Sequence, residues 1–422
     1  MLMNSSRQVI PIEQLAATVT RVVRETPVVD MHTHLYSEQF GSIGLWGLDE
    51  LINYHYLIAE IFRFSPISYQ EFWAMDTPGQ AEAIWKALFE QNSPLSEATR
   101  GILTVLQQLG LDTSKPDLKA FRAYFSQQKR GDYTDKVFKL ANVKSVVMTN
   151  DPFDPAERAV WMQASDLDPR FRAVLRLDPL LLKWSETHQQ LASWGYAVEP
   201  GLGSKTLAEV RRFLEDWVKR MRPVYMAVSL PPDFSFPDPS VRSQFVAHCV
   251  LPVCREHGLP FSMMIGVRKL VNPALRLAGD SLGTADMSVV ERLCGEFPEN
   301  RFLVSMLARE NQHALCVAAR KFRNLMPFGC WWFMNNPSII EEITRERFEL
   351  LGTSFIPQHS DARVLDQLLY KWPHSRTIIA KVLTEKYSDL MQTGWTLTEA
   401  DVCRDVKKLF EDNSTEWISG AR

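Results

Sequence analysis

Eight short runs rich in apolar and β-branched residues recur along the 422-residue chain, and they constrain its fold more than any other feature. They lie at 27–32, 143–149, 172–177, 224–230, 260–267, 301–307, 325–330 and 353–358. Most are apolar at consecutive positions, as strands covered on both faces are, and stretches of helical period separate most of them. In one such stretch Leu207, Val210, Leu214, Trp217, Val218 and Met221 fall at steps of three or four. Glu209, Arg211, Glu215 and Lys219 fall elsewhere, which specifies an amphipathic helix. Strands alternating with helices predict an α/β fold, a parallel (β/α)8 barrel of the TIM type.

The interval between the first two runs is too long for one crossover helix. It holds several helical patterns, one of them with Ala81, Ile84, Trp85 and Leu88 on one face, broken at Pro66, Pro78, Pro94 and Pro116. We therefore expect a barrel made of residues 1–35 and 141–422, with residues 36–140 as a helical insertion. An insertion after the first strand leaves the barrel at its C-terminal face, where barrel active sites lie, so it is expected to wall the site.

Charge narrows the partners. Lysine plus arginine number 47 and aspartate plus glutamate 50, for a net charge of −3, so there is no broad basic field for nucleic acid or an anionic membrane. No apolar run approaches the roughly 18–20 residues of a spanning helix, and the N-terminal residues lack the apolar core of a secretory signal, which predicts a cytoplasmic protein. The six cysteines include no Cys-x-x-Cys pair and sit in apolar segments, as reduced core thiols do.

Val28, Asp30, His32 and His34 share one parity, so on an extended strand the two imidazoles point to one face and can reach one ion. The eighth run continues as Gln358-His-Ser-Asp361-Ala-Arg363, which brings a carboxylate to the same rim once the barrel closes. His32, His34 and Asp361 thus form a three-ligand site with positions left open for water or substrate. Such a set suits one divalent ion, Zn²⁺ first, with Mn²⁺, Co²⁺ or Fe²⁺ as alternatives.

These residues, Asp30-Met-His-Thr-His34 after strand one and Asp361 after strand eight, resemble the amidohydrolase superfamily of metal-dependent barrels. Its hydrolytic members usually add histidines after strands five and six, and many add a bridging lysine after strand four. Here those tips read Ser229-Leu-Pro-Pro232, Ile265-Gly-Val-Arg268 and Ser305-Met-Leu-Ala-Arg309. Further blocks are similar, in the same order, to those of the uronate isomerase branch. They are Asn53-Tyr-His55-Tyr56-Leu57, Thr149-Asn-Asp-Pro152, Leu175-Arg176-Leu-Asp-Pro179, Gly329-Cys-Trp331-Trp332-Phe333 and Asp361-Ala-Arg363. The chain is shorter than typical members and its 307–313 block departs from theirs, so it resembles a compact, divergent branch.

The resemblance implies interconversion of aldo- and ketohexuronates, D-glucuronate with D-fructuronate or D-galacturonate with D-tagaturonate. The open-chain substrate would reach the metal through its C6 carboxylate and C5 hydroxyl, with Arg176 pairing with the carboxylate. His55 and Tyr56 would shuttle a proton between C2 and C1 through a cis-enediol, and Asp361 with Arg363 would handle a substrate hydroxyl. One ion at the carboxylate end leaves C1 and C2 to side-chain acid–base chemistry, which favours proton over hydride transfer. Trp331 and Trp332 lie on opposite faces of a strand by parity, so at most one is expected to face the sugar. Arg309 and His313 follow strand six as candidate contacts to substrate hydroxyls, and His359 is expected to pack behind the site. His188, His248, His257 and His374 have no partners at ligand spacing. Association of barrels into a homo-oligomer is also expected. Two weaker readings remain. A mononuclear metal-dependent amidohydrolase acting on an amide or ester is disfavoured by the missing histidines, and a non-catalytic scaffold by the intact ligand positions.

Overall fold

A computed structural model describes residues 9–163 and 167–421. Seven parallel strands form one curled sheet in the order of the sequence: Val28–Thr33, Val143–Asn150, Phe171–Arg176, Met226–Leu230, Phe261–Ile265, Phe302–Met306 and Leu325–Pro327. Each of the first six intervals carries at least one helix, as parallel crossovers require. The strands are buried on both faces. Val29, Met31, Val147, Val174, Tyr225, Met264 and Leu303 pack together in the inner core, whereas Val28, Val146, Met148, Leu175, Met226 and Phe261 pack outward under the helices.

The eighth run is extended but is not a laddered strand. Ile356 bridges Phe328 in parallel, its N–H donating to the Pro327 carbonyl at 3.1 Å, while the Gly329 N–H donates to the Ile356 carbonyl at 2.9 Å. Pro327 and Pro357 supply no N–H, so the ladder stops there, and the seventh strand is shorter than its apolar run. Farther along, the Asp361 N–H donates to the His32 carbonyl at 3.0 Å and the His34 N–H to the Ala362 carbonyl at 2.7 Å. The segment therefore joins the last strand to the first, and it does so at the level of the histidines.

Between Thr33 and Val143 the chain forms helices and, among the described residues, no strand. Ala81, Ile84, Trp85 and Leu88 are buried as their spacing requires. These helices are tied to the chain after Asp361: the Leu365 N–H donates to the Leu45 carbonyl, and buried Asp366 accepts from the Gly47 N–H and the Tyr133 hydroxyl. The helix Ser204–Met221 buries Val210, Leu214, Trp217, Val218 and Met221. One feature the apolar runs did not announce is a short antiparallel ribbon, Val267–Arg268 with Ser281–Leu282, beyond the fifth strand. Five of the six cysteines are buried free thiols; Cys403 is exposed, on the outward side of helix Glu399–Lys407. No helix among the described residues is long and apolar enough to cross a membrane.

Candidate active site

The first strand does not run to its end in simple alternation. Its pairing with the second strand slips between Val28 and Val29 and again between Asp30 and Thr33. Parity alone would therefore misplace its last residues, yet His32 and His34 both line one cavity at the C-terminal end of the sheet. Beneath them Asp30 is fully buried and serves as an anchor. Its carboxylate accepts from the Ser360 N–H at 3.0 Å and from the Trp372 indole N–H at 2.8 Å, which joins the first strand, the closing segment and the long helix Leu368–Gln392. Burial pushes this carboxyl up from its ordinary value, against the donors that favour its charged form.

Asp361 occupies the left-handed region, φ +50°, a conformation costly for a residue with a side chain. There its Oδ1 lies 3.3 Å from Nε2 of His32 and 3.3 Å from Nε2 of His34. That oxygen is buried and forms no well-directed hydrogen bond. Burial opposes its charge, but the two rings outweigh burial and hold the carboxyl well below the usual range. The His34 imidazole is pulled down to about 3, by burial first and then by the Arg363 charge, against the pull of Asp361. A neutral imidazole beside an ionised carboxylate is the protonation state that metal ligation requires.

The three donor atoms lie within 4.8 Å of one another, so the cluster fits a metal ion. The surroundings agree. His32 Nδ1 lies 3.4 Å from the Thr149 hydroxyl, whose own proton goes to the Thr33 carbonyl at 2.8 Å. With its proton on Nδ1, the His32 ring would offer the Nε2 lone pair to an ion held between the rings and Asp361. No further histidine, cysteine or carboxylate completes a larger ligand group among the described residues.

Around this cluster the cavity is lined by His55, Arg176, Asp178, Lys269, Trp331, Trp332 and Arg363, among others. His55 begins the helix His55–Phe64, and its Nε2 is enclosed without a partner. Burial and then the Arg363 charge keep this imidazole well below its ordinary value, hence neutral, with the Nε2 lone pair free to accept a proton. Arg363 is half-buried, and no hydrogen bond or ion pair engages its guanidinium among the described residues. Arg176, by contrast, is already held in a fork by Asp178, Nε to Oδ2 at 2.9 Å and NH2 to Oδ1 at 2.8 Å.

The remaining sequence-derived residues divide. Trp331 and Trp332 both line the cavity, contrary to the parity expectation. The strand has ended at Pro327, and a tight turn with φ +46° at Trp332 replaces alternation. Tyr56 does not line the cavity; its hydroxyl donates to the Trp332 carbonyl at 3.0 Å behind the wall. Arg309 and His313 stand outside the site. Arg309 is exposed and paired with Glu342 at 2.9 Å, and exposed His313 faces Glu346 at 3.8 Å, because helix Pro337–Leu351 presents two carboxylates one turn apart to them. His359 is fully buried, its ring centroid 5.0 Å from that of His32. The sequence reading passed over Lys269, although it follows the fifth strand tip. Its ammonium lies 2.8 Å from Asp280 and 5.7 Å from the Trp332 ring centre. It also passed over Lys371, which sits inside a helical pattern and carries no local signal.

The crystal structure of a uronate isomerase from Bacillus halodurans C-125 is 55% identical to this chain, covers 97% of each chain and superposes with a TM-score of 0.96. The fold extends to a uronate isomerase from Thermotoga maritima at 14% identity, covering 99% of this chain and 100% of that one, with a TM-score of 0.76. It extends likewise to a glucuronate isomerase from Caulobacter crescentus at 12% identity, covering 100% of this chain and 97% of that one, with a TM-score of 0.77. No family model matches the chain, and neither does any curated protein sequence. An α/β barrel with two histidines after its first strand and an aspartate after its last, more than half identical to a solved relative over almost its whole length, belongs to the uronate isomerase family.

Proposed function

We propose that the protein interconverts an aldohexuronate and a ketohexuronate, D-glucuronate with D-fructuronate or D-galacturonate with D-tagaturonate, through a proton-transfer cis-enediol. The observation that carries this reading is the composition of one cavity: a His-His-Asp cluster, an uncommitted guanidinium and a neutral imidazole with an unpartnered nitrogen. His32, His34 and Asp361 would hold one divalent ion, Zn²⁺ by preference, which when bound supplies positive charge for the carboxylate end of a sugar acid.

The protein's own groups account for the rest. Arg363 adds a cation with no protein carboxylate to satisfy, and Arg176, fixed in direction by Asp178, offers its remaining N–H groups to the same anion. Trp331 and Trp332 give apolar walls for the sugar C–H faces. At the other end of the substrate, His55 Nε2 takes the proton from C2. The C2–H electron pair forms the C1–C2 double bond as the C1 carbonyl oxygen is protonated. Return of the proton to C1, with loss of the O2 proton, leaves the carbonyl at C2. Tyr56 keeps its place behind His55 through the Trp332 carbonyl. No histidine stands at the tips of strands four, five and six, so a hydrolytic second reading gains no support.

Proton NMR of D-glucuronate and D-galacturonate with the purified protein in D₂O, with and without a strong chelator, tests the proposal. Formation of the matching ketose, suppressed by chelator and accompanied by deuterium at the transferred position, is the expected result. Metal-loaded protein that leaves both sugar acids unchanged overturns it.

A further inference from the structure

Lys371 is the most deeply buried lysine near the cavity, 3% exposed on the first turn of the helix Leu368–Gln392. No carboxylate lies within ion-pair distance of its ammonium among the described residues. Its Nζ makes one hydrogen bond, to the Ser360 carbonyl at 2.7 Å, and lies 5.7 Å from the Tyr54 ring centre and 6.0 Å from that of Tyr56. Asp361 and Asp30 attract the ammonium from beyond contact distance, but burial outweighs them, and an apolar side chain of the same length would fill the space without that cost. Stability therefore does not explain a lysine here.

Its three contacts explain it better. Ser360 immediately precedes Asp361, whose left-handed backbone aims its carboxylate at the two histidines. Tyr54 and Tyr56 flank His55, and all three rings are in mutual contact, with centroids 4.0, 4.6 and 4.9 Å apart. The ammonium thus touches the turn that presents Asp361 and the turn that presents His55, which lie some three hundred residues apart in the chain and share no backbone hydrogen bond. The carbonyl and the two ring faces are all electron-rich, so one cation attracts all of them at once. Trp372, the next residue on the helix, holds Asp30, which gives the lysine a fixed base.

Resting on the isomerase reading above, we propose that Lys371 is a positioning residue that sets the spacing between the Asp361 turn and the His55 turn. Its loss slows proton transfer without weakening substrate or metal binding. A displacement of His55 by about 1 Å from its attack geometry is enough to cost on the order of a hundredfold in rate.

The test is Lys371→Met in the metal-loaded, full-length protein, with Lys371→Gln as a second variant that stands in if the first fails to fold. Four quantities are read against wild type: kcat and KM for whichever hexuronate the wild type turns over, bound metal per chain, thermal midpoint, and the crystal structure of the variant. The expected result is a kcat lower by about thirtyfold or more, with KM within about threefold, full metal content and an unchanged or higher midpoint. In the crystal, the His55 ring moves relative to Asp361 by about 1 Å. A kcat within about threefold of wild type, a kcat loss matched by an equal loss of metal or of folded protein, or an unmoved His55 each overturns the proposal. The crystallographic arm stands even if the wild type turns over no uronate, a result that counts against the isomerase reading and not against the spacing role.

Discussion

A methyl group on Gly329 would stand 1.8 Å from Cδ2 of His359, so the glycine exists where the imidazole must pass. Gly329 also has φ +67°, and His359 is packed against His32 on its other side. Gly329→Ala combines overpacking with left-handed strain and is expected to destabilise the protein by about 2–5 kcal/mol. Gly352→Ala, at φ +60° and ψ −124° with open space around it, carries backbone strain alone, on the order of 1–3 kcal/mol. Denaturant unfolding of the two variants separates the terms; equal losses would show that His359 yields without cost.

Asp361→Asn keeps the volume of the side chain but removes the charge between His32 and His34. Turnover is expected to fall by well over about a hundredfold and bound metal to drop, while the circular dichroism spectrum stays native. Near-wild-type turnover would remove Asp361 from the site.

Arg363 and Arg309 make opposite predictions. Arg363→Met deletes an uncommitted cation from the cavity and is expected to lower kcat/KM by at least about thirtyfold, equivalent to about 2 kcal/mol. Arg309→Ala and His313→Ala break exposed pairs with Glu342 and Glu346 and are expected to change kcat/KM by less than about twofold. Steady-state kinetics of the three variants checks both, and a large loss at Arg309 would place the strand-six turn in the site after all.

Glu157 is buried, accepts from Tyr36, Asn150 and the Asp151 N–H, and is pushed up to about 7, chiefly by burial. The folded state holds this proton more tightly than the unfolded chain. The group's contribution is therefore full below about pH 4.5, declines as pH rises toward 7, and is lost above that, a change on the order of 3 kcal/mol. Glu157→Gln, which cannot ionise, is expected to lack that decline. Thermal midpoints of both proteins from pH 4.5 to 8 measure the difference, and parallel curves would refute the assignment.

Much of the architecture was legible because it is local. Apolar runs and helical periods depend only on which faces of an element meet the core, so the order of strands and helices and the helical character of residues 36–140 could be read directly. His32-x-His34 was legible for the same reason, since two side chains two residues apart cannot be far separated. Proline marks at 327 and 357 were visible too, and they carried the information that the eighth segment would not ladder, although its apolar run suggested a strand.

What the sequence by itself determined was the set of chemical groups and the elements that carry them. Tertiary structure decided which groups share a cavity. The left-handed turn at Asp361, the turn that brings both Trp331 and Trp332 to the wall, and the pairing of Arg309 with Glu342 all depend on backbone angles and on contacts across the fold. Lys371 is the clearest case: within its own helix it is one polar residue among others, and only the packing of that helix against the Asp361 and His55 turns places its charge between them. A periodic pattern reports burial along one element, whereas a site is a set of distances between elements, and those distances are fixed by turns and packing that no local pattern encodes.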